Sequence, residues 1–148
     1  AFSAPEYIFV VKKHPLTDID FEHGENCIID DRFTTLEMLF AADCVICDYS
    51  AVIFEAAIIG KPMFFYTFDY DTYGVERDFY IDYRAEMPGL MSPDPQMLER
   101  AVATDDCDLS RVRAFAHKYV ENQENCTKKL EAFIEEQYRQ YGDKKLEK

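Results

Sequence analysis

Apolar positions along this chain fall into short solid blocks and longer spaced ones. The solid blocks Tyr7 to Val11 or Lys12, Cys44 to Cys47 and Met63 to Tyr66 are too brief for helices. They suit strands of a parallel sheet covered on both faces. Cys27 to Ile29 is a shorter block of the same kind. Between them, Leu36, Leu39 and Phe40 recur at helical spacing and predict a helix from about Thr35 to Ala41, with Thr34 or Thr35 as its cap. A further helix is predicted to start near Ala51, capped by Ser50, and to end at Gly60 before Lys61-Pro62. Strands alternating with helices imply an α/β fold, a parallel sheet flanked by helices.

The pattern changes from Thr67 to Met91, where Tyr, Phe, Asp and Arg follow no clean period. A structured loop with one short helix near Tyr70 to Arg77 is expected there. Helices follow at about Pro95 to Ala103, Leu109 to Tyr119 and Asn125 to Tyr141, and residues 142–148 read as a frayed tail. Residues 1–141 are thus read as one domain, with no internal repeat.

The stretch Ala42 to Tyr66 carries the most chemistry. Strand, polar turn Asp48-Tyr49-Ser50, helix and strand follow one another in a single short span. Such a unit directs backbone N–H groups and the positive end of a helix dipole to the carboxyl edge of a parallel sheet, where phosphates bind. A phosphorylated ligand, most simply a nucleotide, is the expected partner.

Composition narrows this. The 148 residues suffice for one core but not two full domains. Twelve Phe and ten Tyr argue against disorder. A net charge of −13 opposes nucleic acid and an anionic bilayer as partners of this segment. The opening AFSAPEY lacks a signal-peptide pattern and runs at once into a strand, so a fragment of a longer protein is expected. Five cysteines without framework spacing point to a reducing cytoplasm. Cys44 and Cys47, three apart on a strand, face opposite sides and are read as core residues; no metal site is expected.

Four clusters could bind a phosphorylated ligand. Lys12-Lys13-His14-Pro15 ends the first strand, and Pro15 biases His14 to an extended conformation beyond the sheet edge. A nearby diphosphate would favour the protonated ring. Asp48, Tyr49 and Ser50 form the helix start, where capping and phosphate binding can coexist. Glu55 lies in an otherwise apolar helix; burying it would demand a partner, either a ligand hydroxyl or Lys61. Arg77, with Phe79, Tyr80 and Pro88-Gly89, offers a phosphate fork, although an ion pair with Glu76 or Asp78 serves equally well. A response-regulator receiver pattern (Asp30-Asp31, Asp48, Lys61-Pro62) fails on spacing, because only one helix separates Asp48 from Lys61.

The ordered set KKHP at Lys12 to Pro15, AADCVICDYSAVIFE at Ala41 to Glu55 and GKP at Gly60 to Pro62 resembles the C-terminal half of the CDP-glycerol glycerophosphotransferase family. FDYDTY at Phe68 to Tyr73, ERDFY at Glu76 to Tyr80, Pro88-Gly89 and ENCTKK at Glu124 to Lys129 continue it. That family includes the teichoic acid polymerases and primases. The resemblance implies a Rossmann-like domain forming the C-terminal half of a GT-B architecture. It implies transfer of glycerol phosphate from CDP-glycerol, or a related CDP-alcohol, to a lipid-linked polymer hydroxyl, with CMP leaving and neither metal nor cofactor required. It implies a cytoplasmic protein, peripheral at the inner face of the cell membrane through parts outside this chain.

By carry-over, Lys12, His14, Asp48, Tyr49, Ser50, Ala51, Glu55, Arg77 and Thr127 are the candidate donor-binding residues. His14 and the Ser50 helix start would contact the diphosphate, Asp48 and Glu55 would shape the pocket, and Thr127 would help close it. Ala51 replaces the second serine of DYSS, and Asp78 beside Arg77 weakens the case for a phosphate fork. The family's presumed base lies in an N-terminal HGTP-type motif that this sequence lacks, since His23-Gly24 is followed by Glu25-Asn26. The chain alone is therefore expected to be inactive. A GT-B nucleotide-sugar glycosyltransferase domain and a non-catalytic nucleotide-binding module are the alternatives.

Overall fold

The computed structural model describes residues 6–13, 24–76, 80–120 and 124–141. Its elements run β1 (Phe9–Val11), β2 (Cys27–Ile29), α1 (Thr35–Ala41), β3 (Val45–Cys47), α2 (Val52–Ile58) and β4 (Met63–Tyr66). Then come α3 (Tyr70–Glu76), α4 (Tyr83–Glu86), β5 (Met91–Ser92), α5 (Pro95–Ala103), α6 (Leu109–Tyr119) and α7 (Cys126–Tyr141). Every strand pair among the described residues is parallel. Among the described residues the strands form two hydrogen-bonded groups, β1-β2 and β3-β4-β5.

β4 is covered on both faces. Side chains alternate across a strand, so Met63 and Phe65 point one way and Phe64 the other. Met63 and Phe65 join a core with Ile53 and Ala56 of α2, Tyr83 of α4 and Val112 of α6. Phe64 packs instead with Leu98 and Ala101 of α5. β3 is only half-buried. It is nonetheless covered on both faces as expected, with Val45 and Cys47 against the first core and Ile46 against the second, though less completely than β4. Cys47 packs with the first core and Cys44 with the second, as strand alternation requires. Burial pushes the Cys47 thiol up to about 12, so it is an inert apolar group rather than a thiolate.

Local signals set the helix ends. Thr34 and Glu37 form a reciprocal capping box at α1. Gly60 stands at φ +71°, with its N–H on the Ala57 carbonyl and the Lys61 N–H on that of Ala56, the double bond of a Schellman ending. Asp94 and Asp108 cap α5 and α6.

Two elements exceed the expectation for residues 67–91. α4 forms one turn capped by Asp82, and β5 pairs Met91 and Ser92 with Phe65 and Tyr66. Neither is long enough to show a period; both exist through contact with β4 and its neighbours. Of α1, Leu39 is buried while Leu36 and Phe40 are exposed. The frayed tail at residues 142–148 lies outside the described residues.

Candidate functional site

Parallel pairing of β3 with β4 places the ends of both strands at one edge. Asp48, Tyr49 and Ser50 leave β3 there, and Thr67, Phe68 and Asp69 leave β4. The cap position of α2 falls on Ala51, which has no side-chain cap bond, rather than on Ser50; the Ser50 Oγ instead accepts the Val52 N–H at 3.3 Å, a local serine-turn bond just before the helix. Ser50 and Ala51 are exposed. The Asp48 carboxylate is exposed, and no described side chain bonds it.

Tyr49 is committed elsewhere. Its hydroxyl donates to Asp69 Oδ1 at 3.0 Å, and its ring stacks on Tyr73 with centroids 4.0 Å apart. Desolvation raises its pKa, with the Asp69 bond adding to the rise, so the phenol stays a neutral donor at any ordinary pH. Tyr83, edge-on to Tyr49 at 5.5 Å, donates its hydroxyl to the Asp48 backbone carbonyl. Burial raises its pKa too.

Glu55 is exposed, so its carboxylate stays in water and the premise that its burial demands a partner is corrected. The residue offered as that partner, Lys61, instead donates to the Phe40 and Ala42 carbonyls at the end of α1. A cation at a helix C-terminus satisfies carbonyls that the helix itself leaves open.

Lys12 also has a structural partner set. Its ammonium reaches Asp30 Oδ2 at 2.8 Å, the Asp30 carbonyl at 3.0 Å and the Phe33 carbonyl at 2.5 Å. Asp30, 4% exposed at its side chain, also accepts the Arg32 and Phe33 N–H groups. The loops after β1 and β2 are thereby tied together. The Lys12 hydrogen bond, helped by those N–H groups, holds the Asp30 carboxyl below the usual carboxylate range against its desolvation.

A depressed carboxyl contributes stability that is fully present above its unfolded pKa of about 3.9 and is lost as pH falls through the folded value. Wild type should therefore exceed Asp30→Asn in melting temperature at pH 6, and the gap should close as pH drops toward about 2. Melting curves of both proteins across that range check it; parallel pH profiles would show that Asp30 is not held this way.

Thr127 is exposed in the first turn of α7, and no hydrogen bond or ion pair joins it to the β3–α2 turn among the described residues. His14, Arg77 and His23 lie outside the described residues. His117 lines a shallow groove with Arg113 and Gly60 at the C-terminal end of α2, the opposite end from Ser50. The turn thus gathers Asp48, Tyr49, Ser50, Ala51 and Glu55, while Lys12 and Thr127 lie on other elements. Among the described residues no cluster of His, Cys, Asp or Glu could hold a metal ion.

Sequence reasoning did not single out Asp69 and Tyr83 as partners of this turn. The available signal was general: a Tyr with a buried ring needs a bonded hydroxyl, and this segment holds several. Which Tyr meets which acceptor depends on a fold that the aromatic run does not display.

Parallel strands with helices on both faces, and a polar turn at the carboxyl edge, define a Rossmann-like α/β domain. The chain belongs to the CDP-Glycerol:Poly(glycerophosphate) glycerophosphotransferase family, which it matches over residues 3–135. It is 32% identical to the teichoic acid glycerol-phosphate primase of Bacillus subtilis (strain 168), over 88% of this chain and 35% of that protein. It is 30% identical to the teichoic acid poly(ribitol-phosphate) polymerase of Bacillus spizizenii, over 79% of this chain and 20% of that one. A solved variant of the wall teichoic acid polymerase TagF superposes with a TM-score of 0.70 at 25% identity, over 90% of this chain and 35% of the other. Another TagF variant, soaked with CDPG for 30 minutes, superposes at 0.66 with 27% identity, over 96% of this chain and 37% of the other. The chain spans between a fifth and about a third of the length of these curated relatives. Among the described residues no helix is long and apolar enough to cross a membrane.

Proposed function

We propose that this chain is the donor-binding domain of a transferase. The transferase moves glycerol phosphate from CDP-glycerol to a hydroxyl of a lipid-linked, teichoic-acid-like polymer. The observation that carries the reading is the exposed Ser50 turn at the carboxyl edge of β3, in a chain that belongs to this family over residues 3–135. The CDPG soak of TagF supports the donor, and the relatives' glycerol-phosphate and ribitol-phosphate activities support either alcohol on it.

In the reaction the acceptor oxygen attacks the phosphorus of the glycerol phosphate, the bond to CMP breaks, and the hydroxyl proton passes to a base. Backbone N–H groups and the Ser50 hydroxyl at the turn, with His14, would hold the diphosphate. Asp48 and Glu55, both exposed there, would border the pocket, and Thr127 would help close it. Lys12 is better read as a clasp on Asp30 than as a direct phosphate ligand, because its ammonium already has three acceptors. Arg77 would be a second phosphate contact. The base comes from another part of the transferase, in the facing half of a GT-B pair, and the intact protein works peripherally at the inner face of the cell membrane.

Titration calorimetry of the 148-residue chain with CDP and CMP tests the placement of the diphosphate. Tighter binding of CDP is expected, with Ser50→Ala reducing that preference. Equal affinity for the two nucleotides would sink the reading.

A further inference from the structure

We propose that Tyr83 is a positioning residue of the donor site, holding the Asp48–Ser50 turn in place through its hydroxyl. The inference rests on the donor-site reading above and adds a residue that touches the turn rather than the ligand.

Two bonds approach the turn from the segment that links β4 to β5. The Tyr83 hydroxyl of α4 donates to the Asp48 carbonyl, and Asp69, just after β4, receives the Tyr49 hydroxyl at 3.0 Å. These bonds fasten adjoining residues to different elements, which leaves the intervening peptide little room to rotate. The rings enforce the same geometry. Tyr49 stacks on Tyr73 of α3 at 4.0 Å and stands edge-on to Tyr83 at 5.5 Å. α3 and α4 are joined in turn by Arg84, whose guanidinium lies 4.4 Å from the Tyr70 ring centroid and 3.2 Å from Asp71. Tyr83 is itself anchored, 4% exposed and perpendicular to Phe65 at 6.0 Å.

A ring fixed in the core thus carries one polar atom to the backbone of an exposed turn. The buried Tyr83 hydroxyl needs a partner, whereas the carbonyl of exposed Asp48 could be hydrated by water instead. Pairing the two fixes the orientation of the 48–49 peptide, and preorganised groups bind without first being ordered.

Tyr83→Phe keeps the ring and removes only the hydroxyl. Amide hydrogen exchange of the unliganded variant is expected to rise about tenfold at Tyr49 to Val52, with β4 unchanged. CDP binding is expected to weaken about three- to tenfold, with CMP binding unaltered. Unchanged exchange at the turn would overturn the proposal, whatever the nucleotide result. An equal loss of CDP and CMP affinity would also overturn it, since general loosening weakens both alike. A wild-type chain that does not distinguish CDP from CMP would instead bring down the donor-site reading, while the exchange measurement still decides whether Tyr83 holds the turn.

Discussion

Gly89→Ala is expected to destabilise the domain severely. A Cβ built on Gly89 would stand 1.7 Å from the Met63 carbonyl oxygen and 2.8 Å from its carbon. Both are backbone atoms of the central strand, so no rotamer change relieves the overlap. Gly89 leads directly into β5, and the Phe65 N–H bonds to the neighbouring Leu90 carbonyl at 2.8 Å. Making room means pulling this segment off β4 and losing that bond together with the packing of Pro88, which is fully buried. Overpacking of this kind costs about 3 kcal/mol or more, a large share of the stability of a small domain. Gly24→Ala is the control, since nothing lies within 4 Å of its added methyl. Thermal melts decide the matter: a Gly89→Ala transition within a few degrees of wild type would refute the close approach. The Pro88-Gly89 pair has a packing reason of its own.

Phe65→Ala should lower stability by about 3–5 kcal/mol, the usual range for emptying a buried aromatic site. Phe64→Ala should lower it comparably, because both side chains are at most 1% exposed on the same strand. The two should differ at the candidate site. Phe65 supports the Tyr83 ring, and Tyr83 holds the Asp48 carbonyl. Phe64 faces Leu98 and Ala101 of α5 on the other side of the sheet. Urea denaturation measures the two losses, and amide exchange at Tyr49 to Val52 separates them. Faster exchange is expected for Phe65→Ala, with little change for Phe64→Ala once the stability loss is allowed for. Equal exchange in both variants would mean that the turn is not supported from this face.

Much of this domain follows from neighbours in sequence. The block Met63 to Tyr66, the Ser50–Val52 turn bond, the capping box at Thr34 and Glu37 and the Gly60 ending all use groups a few residues apart. Their energetics are settled within a turn or a strand, so the order of elements and the polar turn at the end of β3 can be read directly. The ordered motifs likewise identify the family, because they survive as a series even where single positions, such as Ala51, depart from it.

Tertiary structure decided which polar groups remain for a ligand. Lys12 and Lys61 look alike in sequence, as cations beside prospective binding residues, yet one closes on Asp30 and the other on the end of α1. Glu55 looked costly among apolar neighbours, but α2 turns it to water. α4 and β5 are too short to carry a periodic signal and exist by packing and pairing with distant residues. Sequence determined the local frame because hydrogen bonds between near neighbours need little chain closure. The division between clasp and site was left to folding, because desolvation and long-range pairing are defined only once the chain has closed on itself.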